Sequence, residues 1–194
     1  MNAVDLSIVN FQELPCAHLY SRSAFQNDIA ADVIEWFKNK APWKYVETDF
    51  YQQYEFNLMN VALPEELSFL ISDVTIQSVQ KIMMNAFKVP HMDLVEISAH
   101  KLVDGHSIRI HNDYIEGAET HRLIIQFNSG WHEENGGLFI FFNSSNPDDI
   151  CKVVKPLSNS AIGFAISEKS NHAVSKVYDL ERYSLVYTFR ERIE

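Results

Sequence analysis

The stretch Gly105-His-Ser-Ile-Arg-Ile-His-Asn-Asp-Tyr-Ile-Glu-Gly117, "GHSIRIHNDYIEG", ends a β-branched run on a histidine, any residue and an aspartate. Side chains two apart on a strand point to the same face. An extended 107–113 therefore puts Ser107, Arg109, His111 and Asp113 on one face, with Ile108 and Ile110 on the other. An imidazole and a carboxylate projecting side by side suit a metal site. Two other histidine–acid pairs, His91-Met-Asp93 and His132-Glu-Glu134, lack a strand to present them. His91 follows Val89-Pro90, and His132 lies in the turn-like "SGWHEENGG".

Outward from this stretch, the chain has two kinds of local pattern. All six glycines lie at or after position 105, and glycine marks tight turns between short strands. Candidate strands are 94–103, 107–112, 122–128, 137–143, 152–155, 160–166, 171–175 and 183–190, broken by turn signals such as Asp104-Gly105, Gly136-Gly137 and Asn146-Pro147. That number and spacing predict a jelly-roll sandwich or barrel. The first half reads as mostly helical. "NDIAADVIEWFKN" carries Ile29, Val33 and Phe37 at helical spacing, with Asn27 or Asp28 as N-cap. One helix is expected from Leu63 to Phe87, with Pro64 and two glutamates in its first turn and Leu67, Leu70, Val74 and Val79 in its apolar stripe. The aromatic segment 43–56 leaves room for a strand. The fold class is thus mainly β with N-terminal helices (α+β), as one domain over 1–194: a helical support region (1–93) and a β-core (94–194).

Composition narrows the partners. The chain has 194 residues, 46% hydrophobic and 22% charged, with a formal net charge of −10. Nucleic-acid binding needs a basic footprint, and no Lys/Arg cluster overrides this acidity. Cys16 and Cys151 lack metal-ligand spacing and read as reduced thiols. No apolar run approaches a membrane span, and Asp5 and Glu13 interrupt any leader-like segment. A cytoplasmic protein without membrane or nucleic-acid partners is expected.

A metal on His111 and Asp113 needs a third ligand, and two histidines with one carboxylate are the facial donor set of non-haem Fe(II). Candidates downstream are His121 near a strand start, His132 in its loop, and His172 opening "NHAVSKV". Ordinary solvated histidines remain the competing reading. Ten residues after His172, Arg182 opens the otherwise uncharged "RYSLVYTF". Arg182 and Ser184 share one strand face, and an arginine there can grip a carboxylate bidentately.

Taken together, "GHSIRIHNDY", "LIIQFNSGWHEENGGLFIFF" and "SNSAIGFAISEKSNHAVSKVYDLERYSLVYTF" resemble the Fe(II)/2-oxoglutarate-dependent oxygenases of the prolyl-4-hydroxylase-like branch. The resemblance covers about residues 94 to 190. It implies a double-stranded β-helix core, iron on His111, Asp113 and His172, and 2-oxoglutarate on Arg182 and Ser184. It also implies hydroxylation of an unactivated C–H bond with O2, releasing succinate and CO2. Members act on peptidyl residues, amino acids or small metabolites, so substrate contacts are sought in Arg109, Tyr114 and Trp131. The chain departs from the pattern where many relatives carry a co-substrate-binding tyrosine; Leu102 or a residue close to it stands there. Two other classes compete: a cupin-like metal-binding sensor, for which an Arg-x-Ser carboxylate receptor has no use, and a metal-free β-sandwich interaction module.

Overall fold

The computed structural model describes residues 4–6 and 8–192. The centre of the fold is a ten-residue strand, β12 (Arg182–Glu191), whose first eight residues are all buried. Its odd-numbered Tyr183, Leu185, Tyr187 and Phe189 enter a core shared with the helices, while Val186 belongs to a second core. Fully burying an aromatic side chain of this kind contributes about 2 kcal/mol. The Tyr187 hydroxyl is satisfied by donating to the Leu70 carbonyl at 2.8 Å.

The remaining strands are β1 (Ile8–Gln12), β2 (His18–Ser21), β3 (Lys44–Glu47), β4 (Gln52–Asn57), β5 (Met92–Leu102), β6 (Ile108–His111), β7 (His121–Gln126), β8 (Phe139–Phe142), β9 (Ile150–Val154), β10 (Ala161–Ala165) and β11 (His172–Val174). They form an eight-stranded sheet, ordered β1-β2-β10-β7-β12-β5-β4-β3, and a four-stranded sheet, β6-β11-β8-β9. Every pairing is antiparallel. Helices α1 (Asn27–Asn39) and α2 (Asp73–Phe87) bury Val33, Phe37, Val79 and Met83 against the large sheet. Phe139, Phe141, Ile162, Phe164 and Val174 fill the second core, which joins the two sheets. The result is mostly β with few helices, as expected. Among the described residues, no helix is long and apolar enough to cross a membrane.

Three expectations change. The first 93 residues are not only helical: the aromatic segment with room for one strand holds two, β3 and β4, and β1 and β2 add to the other end of the large sheet. The single 63–87 helix is broken. A 3-10 helix runs over Glu65–Ile71, and Ser72 then turns extended (φ −71°, ψ 149°), its side chain accepting from the Thr75 N–H. That break shifts the helical phase and leaves Val74 59% exposed, outside the stripe assigned to it. Helix α1 has Gln26 rather than Asn27 or Asp28 in the cap position, with no side-chain cap bond.

The Gly136-Gly137 pair requires glycine. Gly136 has φ 60° and ψ −135°, a region essentially closed to L side chains. A Cβ there would sit 2.1 Å from the Lys176 carbonyl oxygen. Gly136→Ala is expected to destabilise the fold by about 3 kcal/mol or more, read as a lowered urea midpoint at unchanged slope.

Candidate metal centre

His111 ends β6 and lies directly across from His172 on β11 in the small sheet. Each imidazole is oriented by its own backbone: Nδ1 of His111 bonds the Arg109 carbonyl at 2.8 Å, and Nδ1 of His172 bonds the Ser170 carbonyl at 2.7 Å. A carbonyl only accepts, so each Nδ1 is the donor to its carbonyl and each Nε2 is the nitrogen turned towards Asp113. The two Nε2 atoms lie 3.3 and 3.2 Å from the oxygens of Asp113. The donor atoms of His111, Asp113 and His172 all fall within 4.8 Å of one another. Phe139 and Phe164 pack on the His172 ring, and Phe50 packs on His111.

Asp113 arrives by a route that strand periodicity does not describe. β6 stops at His111, and Asp113 takes the left-handed conformation, φ 59°, which aspartate tolerates better than most residues. Around it, Asn112 accepts from the Tyr114 N–H at 3.1 Å, and its carbonyl accepts from the Ser170 hydroxyl at 2.8 Å. From β7, Arg122 donates to the Asp113 carboxylate at 2.7 Å and also pairs with Glu119. Burial pushes the Asp113 carboxyl up, but hydrogen bonds from His111 and His172 and the Arg122 charge outweigh it, holding it well below the usual range. Burial pushes His172 down, towards the neutral form a metal ligand needs.

The same cavity, about 340 Å³, is lined by the three donors and by Arg182, Ser184 and His100. Arg182 is 2% exposed. Its Nε donates to the Gly137 carbonyl at 2.9 Å, and no carboxylate among the described residues lies within 4.0 Å of it. Burial lowers it only to about 10, so it stays cationic at neutral pH. Ser184 sits between His100 of β5 and Gln126 of β7 in the sheet register.

His100 escaped the sequence reading. For His100 the signal was present: on β5, Ser98, His100 and Leu102 share a face, and that face meets Ser184 and Arg182 across the ladder. The position expected at Leu102 is thus occupied in the cavity by both Leu102 and His100. Burial first, then the charges of Arg122 and Arg182, lower His100 to about 3, so it is neutral at working pH. Its Nε2 lies 3.2 Å from the Ser98 hydroxyl.

The expected placement of Arg109 is corrected. The β6–β11 pairing slips between Ile108 and His111, and a bulge of this kind reverses the side-chain alternation beyond it. Ile108 and His111 therefore both face the cavity, while Arg109 is exposed in a side recess with Glu47 and Asp49. Tyr114 is 43% exposed, and Trp131 is tied to its loop through a bond from Nε1 to the Gly136 carbonyl; neither lines the cavity. His91 and His132 are exposed. His121 is buried against Phe87, bonded to Thr120, away from the three donors. Cys16 and Cys151 are both free thiols.

The donor chemistry fits one divalent iron. Two imidazoles and one carboxylate are the facial set, and among the described residues no fourth His, Cys, Asp or Glu joins the group. The uncompensated cation of Arg182 in the same cavity fits an anionic co-ligand.

Residues 97–190 match the model of the 2OG-Fe(II) oxygenase superfamily. Among curated proteins none matches the sequence. Solved structures share the fold at low identity. A prolyl-4-hydroxylase from Pseudomonas putida superposes with a TM-score of 0.71 at 16% identity, over 91% of this chain and 93% of its own. A Trichoplax adhaerens prolyl hydroxylase, in complex with a hypoxia inducible factor peptide fragment, gives 0.70 at 9%, over 89% and 83%. HygX from Streptomyces hygroscopicus, with nickel, 2-oxoglutarate and hygromycin B bound, gives 0.61 at 10%, over 91% and 83%.

Proposed function

We propose, from the match of residues 97–190 to the 2OG-Fe(II) oxygenase superfamily model, that the chain hydroxylates an unactivated C–H bond of a peptidyl residue or amino acid. The chain is an oxygenase that uses Fe(II) and 2-oxoglutarate; the roles of its residues and its substrate are our reading. The observation that carries it is the convergence of His111, Asp113 and His172 in one cavity with a buried arginine that has no acid partner.

In this reading His111 and His172 ligate through Nε2, since both Nδ1 atoms are committed to backbone carbonyls. Asp113 supplies the anionic ligand, and Arg122 fixes its carboxylate from outside the ligand set. Arg182 takes the far carboxylate of 2-oxoglutarate in a forked contact, with the Ser184 hydroxyl adding a hydrogen bond. The neutral His100 faces Ser184 across the ladder and offers the co-substrate an uncharged polar contact. Bound Fe(II), 2-oxoglutarate and O2 supply the oxidising chemistry, giving succinate, CO2 and one oxygen atom inserted into the C–H bond. The aromatic rings around the imidazoles exclude bulk water from the ligand atoms. The β-core that holds these residues is a double-stranded β-helix in this reading.

A small metabolite is the second reading. Both kinds of ligand occur among proteins of this fold, a peptide in the Trichoplax enzyme and hygromycin B in HygX. The test is incubation with Fe(II), 2-oxoglutarate and O2 against peptide and metabolite pools. A mass gain of one oxygen, matched by stoichiometric succinate, is expected. Succinate formation that no pool stimulates would count against the hydroxylase reading.

A further inference from the structure

The cavity has a second wall that neither iron nor 2-oxoglutarate uses. Glu55 on β4 and Glu96 on β5 line it. Neither has a Lys or Arg partner among the described residues. Both are held by neutral donors instead: the Gln53 amide gives a hydrogen bond to Glu55 at 2.6 Å, and the Asn57 amide gives one to Glu96 at 3.4 Å.

Two buried oxygen atoms on the same wall lack partners, as does the Nε donor of the neighbouring Arg122. Gln53 is 3% exposed and Thr188 is 1% exposed; Gln53 Oε1 and Thr188 Oγ1 make no hydrogen bond, and both residues line the cavity. The Gln53 amide cannot be turned round to hide this, because its NH2 must face the Glu55 carboxylate. Thr188 sits between Glu96 and Arg122 in the sheet register. Two carboxylates and Gln53 Oε1 can only accept and the Thr188 hydroxyl can accept or donate, so this wall offers more acceptors than donors, and a buried polar atom without a partner costs about 1–3 kcal/mol. It calls for a ligand that brings hydrogen-bond donors.

The charge balance points the same way. With Fe(II) and 2-oxoglutarate in place, the charges of the metal, Asp113, the co-substrate and Arg182 cancel. Arg122 is cancelled by Glu119. Glu55 and Glu96 are left facing the cavity without a cation. We propose that the substrate carries at least one protonated amine, received by Glu55 and Glu96, with Gln53 Oε1 and Thr188 Oγ1 accepting its remaining N–H or O–H groups. The proposal rests on the hydroxylase reading above and names the substrate class of that site. Two carboxylates on adjacent strands hold the cation so that a neighbouring C–H faces the iron ligands. Lysine-like side chains and free polyamines share this chemistry.

The test is calorimetry on the full chain, loaded anaerobically with Mn(II) and then 2-oxoglutarate. Nα-acetyl-lysine methylamide is paired with its norleucine counterpart, and 1,5-diaminopentane with 1,5-pentanediol. At least one amine is expected to bind at least about tenfold tighter than its uncharged counterpart, the worth of one modest charge-assisted contact. Tighter binding of the lysine derivative assigns a peptidyl substrate, and tighter binding of the diamine assigns a free one. In the Glu55→Gln/Glu96→Gln double variant the preference should vanish, with the melting temperature confirming the fold. Uncharged probes that match the amines, no binding by either amine, or a preference that survives in the double variant overturns the proposal. Failure of Mn(II) or 2-oxoglutarate to bind in the first two steps defeats the hydroxylase reading instead, so the two failures are distinguishable.

Discussion

Asp113→Gly is expected to give a folded protein that has lost tight Fe(II) binding, with affinity reduced by more than about a hundredfold and turnover below detection. Removal of groups that merely orient ligands costs about 10- to 100-fold in metal affinity, and Asp113 supplies the sole carboxylate of the donor group. Glycine is the informative replacement because residue 113 sits at φ 59°. Alanine there adds about 1–2 kcal/mol of left-handed strain, which glycine avoids. Arg122 is not orphaned by the change, since Glu119 still pairs with it, so no uncompensated buried charge confuses the result. Calorimetric titration with Mn(II) reads the affinity, and the melting temperature of the metal-free protein reads the fold. Metal binding equal to that of the unmodified protein would remove Asp113 from the ligand set.

Arg182→Met should move function and stability in different directions. Affinity for 2-oxoglutarate is expected to fall on the order of a hundred- to a thousandfold, the loss typical of truncating one side of a buried charge pair. Metal affinity should change little, because Arg182 touches none of the three donors through any hydrogen bond or ion pair. In the ligand-free protein the guanidinium is 2% exposed and, among the described residues, answered by the Gly137 carbonyl alone. Replacing such a charge with an apolar side chain of similar length is neutral or stabilising. The ligand-free variant should therefore melt no lower than the parent. A merely structural arginine predicts the reverse, a lower melting temperature with co-substrate affinity intact. Parallel titrations and melting curves decide between them.

How far these residues were legible in the sequence depended on the local backbone. On β12, unbroken alternation separated Arg182 and Ser184 from Tyr183, Leu185 and Tyr187, and the structure keeps that division. On β6 the same rule misplaced Arg109, because a register slip near residue 110 leaves no mark in a β-branched run. Asp113 reaches the site by a left-handed turn, not by strand alternation, so its pairing with His111 was visible only as a spacing. The eight strands of the second half lie close to their expected positions because glycine, asparagine and proline punctuate them. Strands β1 to β4 lacked such punctuation. They are short or polar, as in "HLYS" and "QQYEFN", and owe their place to backbone pairing at the two ends of a sheet built elsewhere. The break at Ser72 was readable in principle, since a serine three residues before Thr75 can cap a new helix. The continuous apolar pattern on either side concealed it. Glu55, Glu96, Gln53 and Thr188 became a group only once three strands, β4, β5 and β12, were laid side by side.

The central claim is that His111, Asp113 and His172 hold one Fe(II) beside an Arg182 that receives 2-oxoglutarate. Its most direct test is an anaerobic titration of the Fe(II)-loaded protein with 2-oxoglutarate, followed by visible absorption. A charge-transfer band that saturates at one co-substrate per chain is expected, shifted to much higher 2-oxoglutarate in Arg182→Met and absent in Asp113→Gly. No band in the unmodified protein, or an undiminished band in Asp113→Gly, would contradict the account.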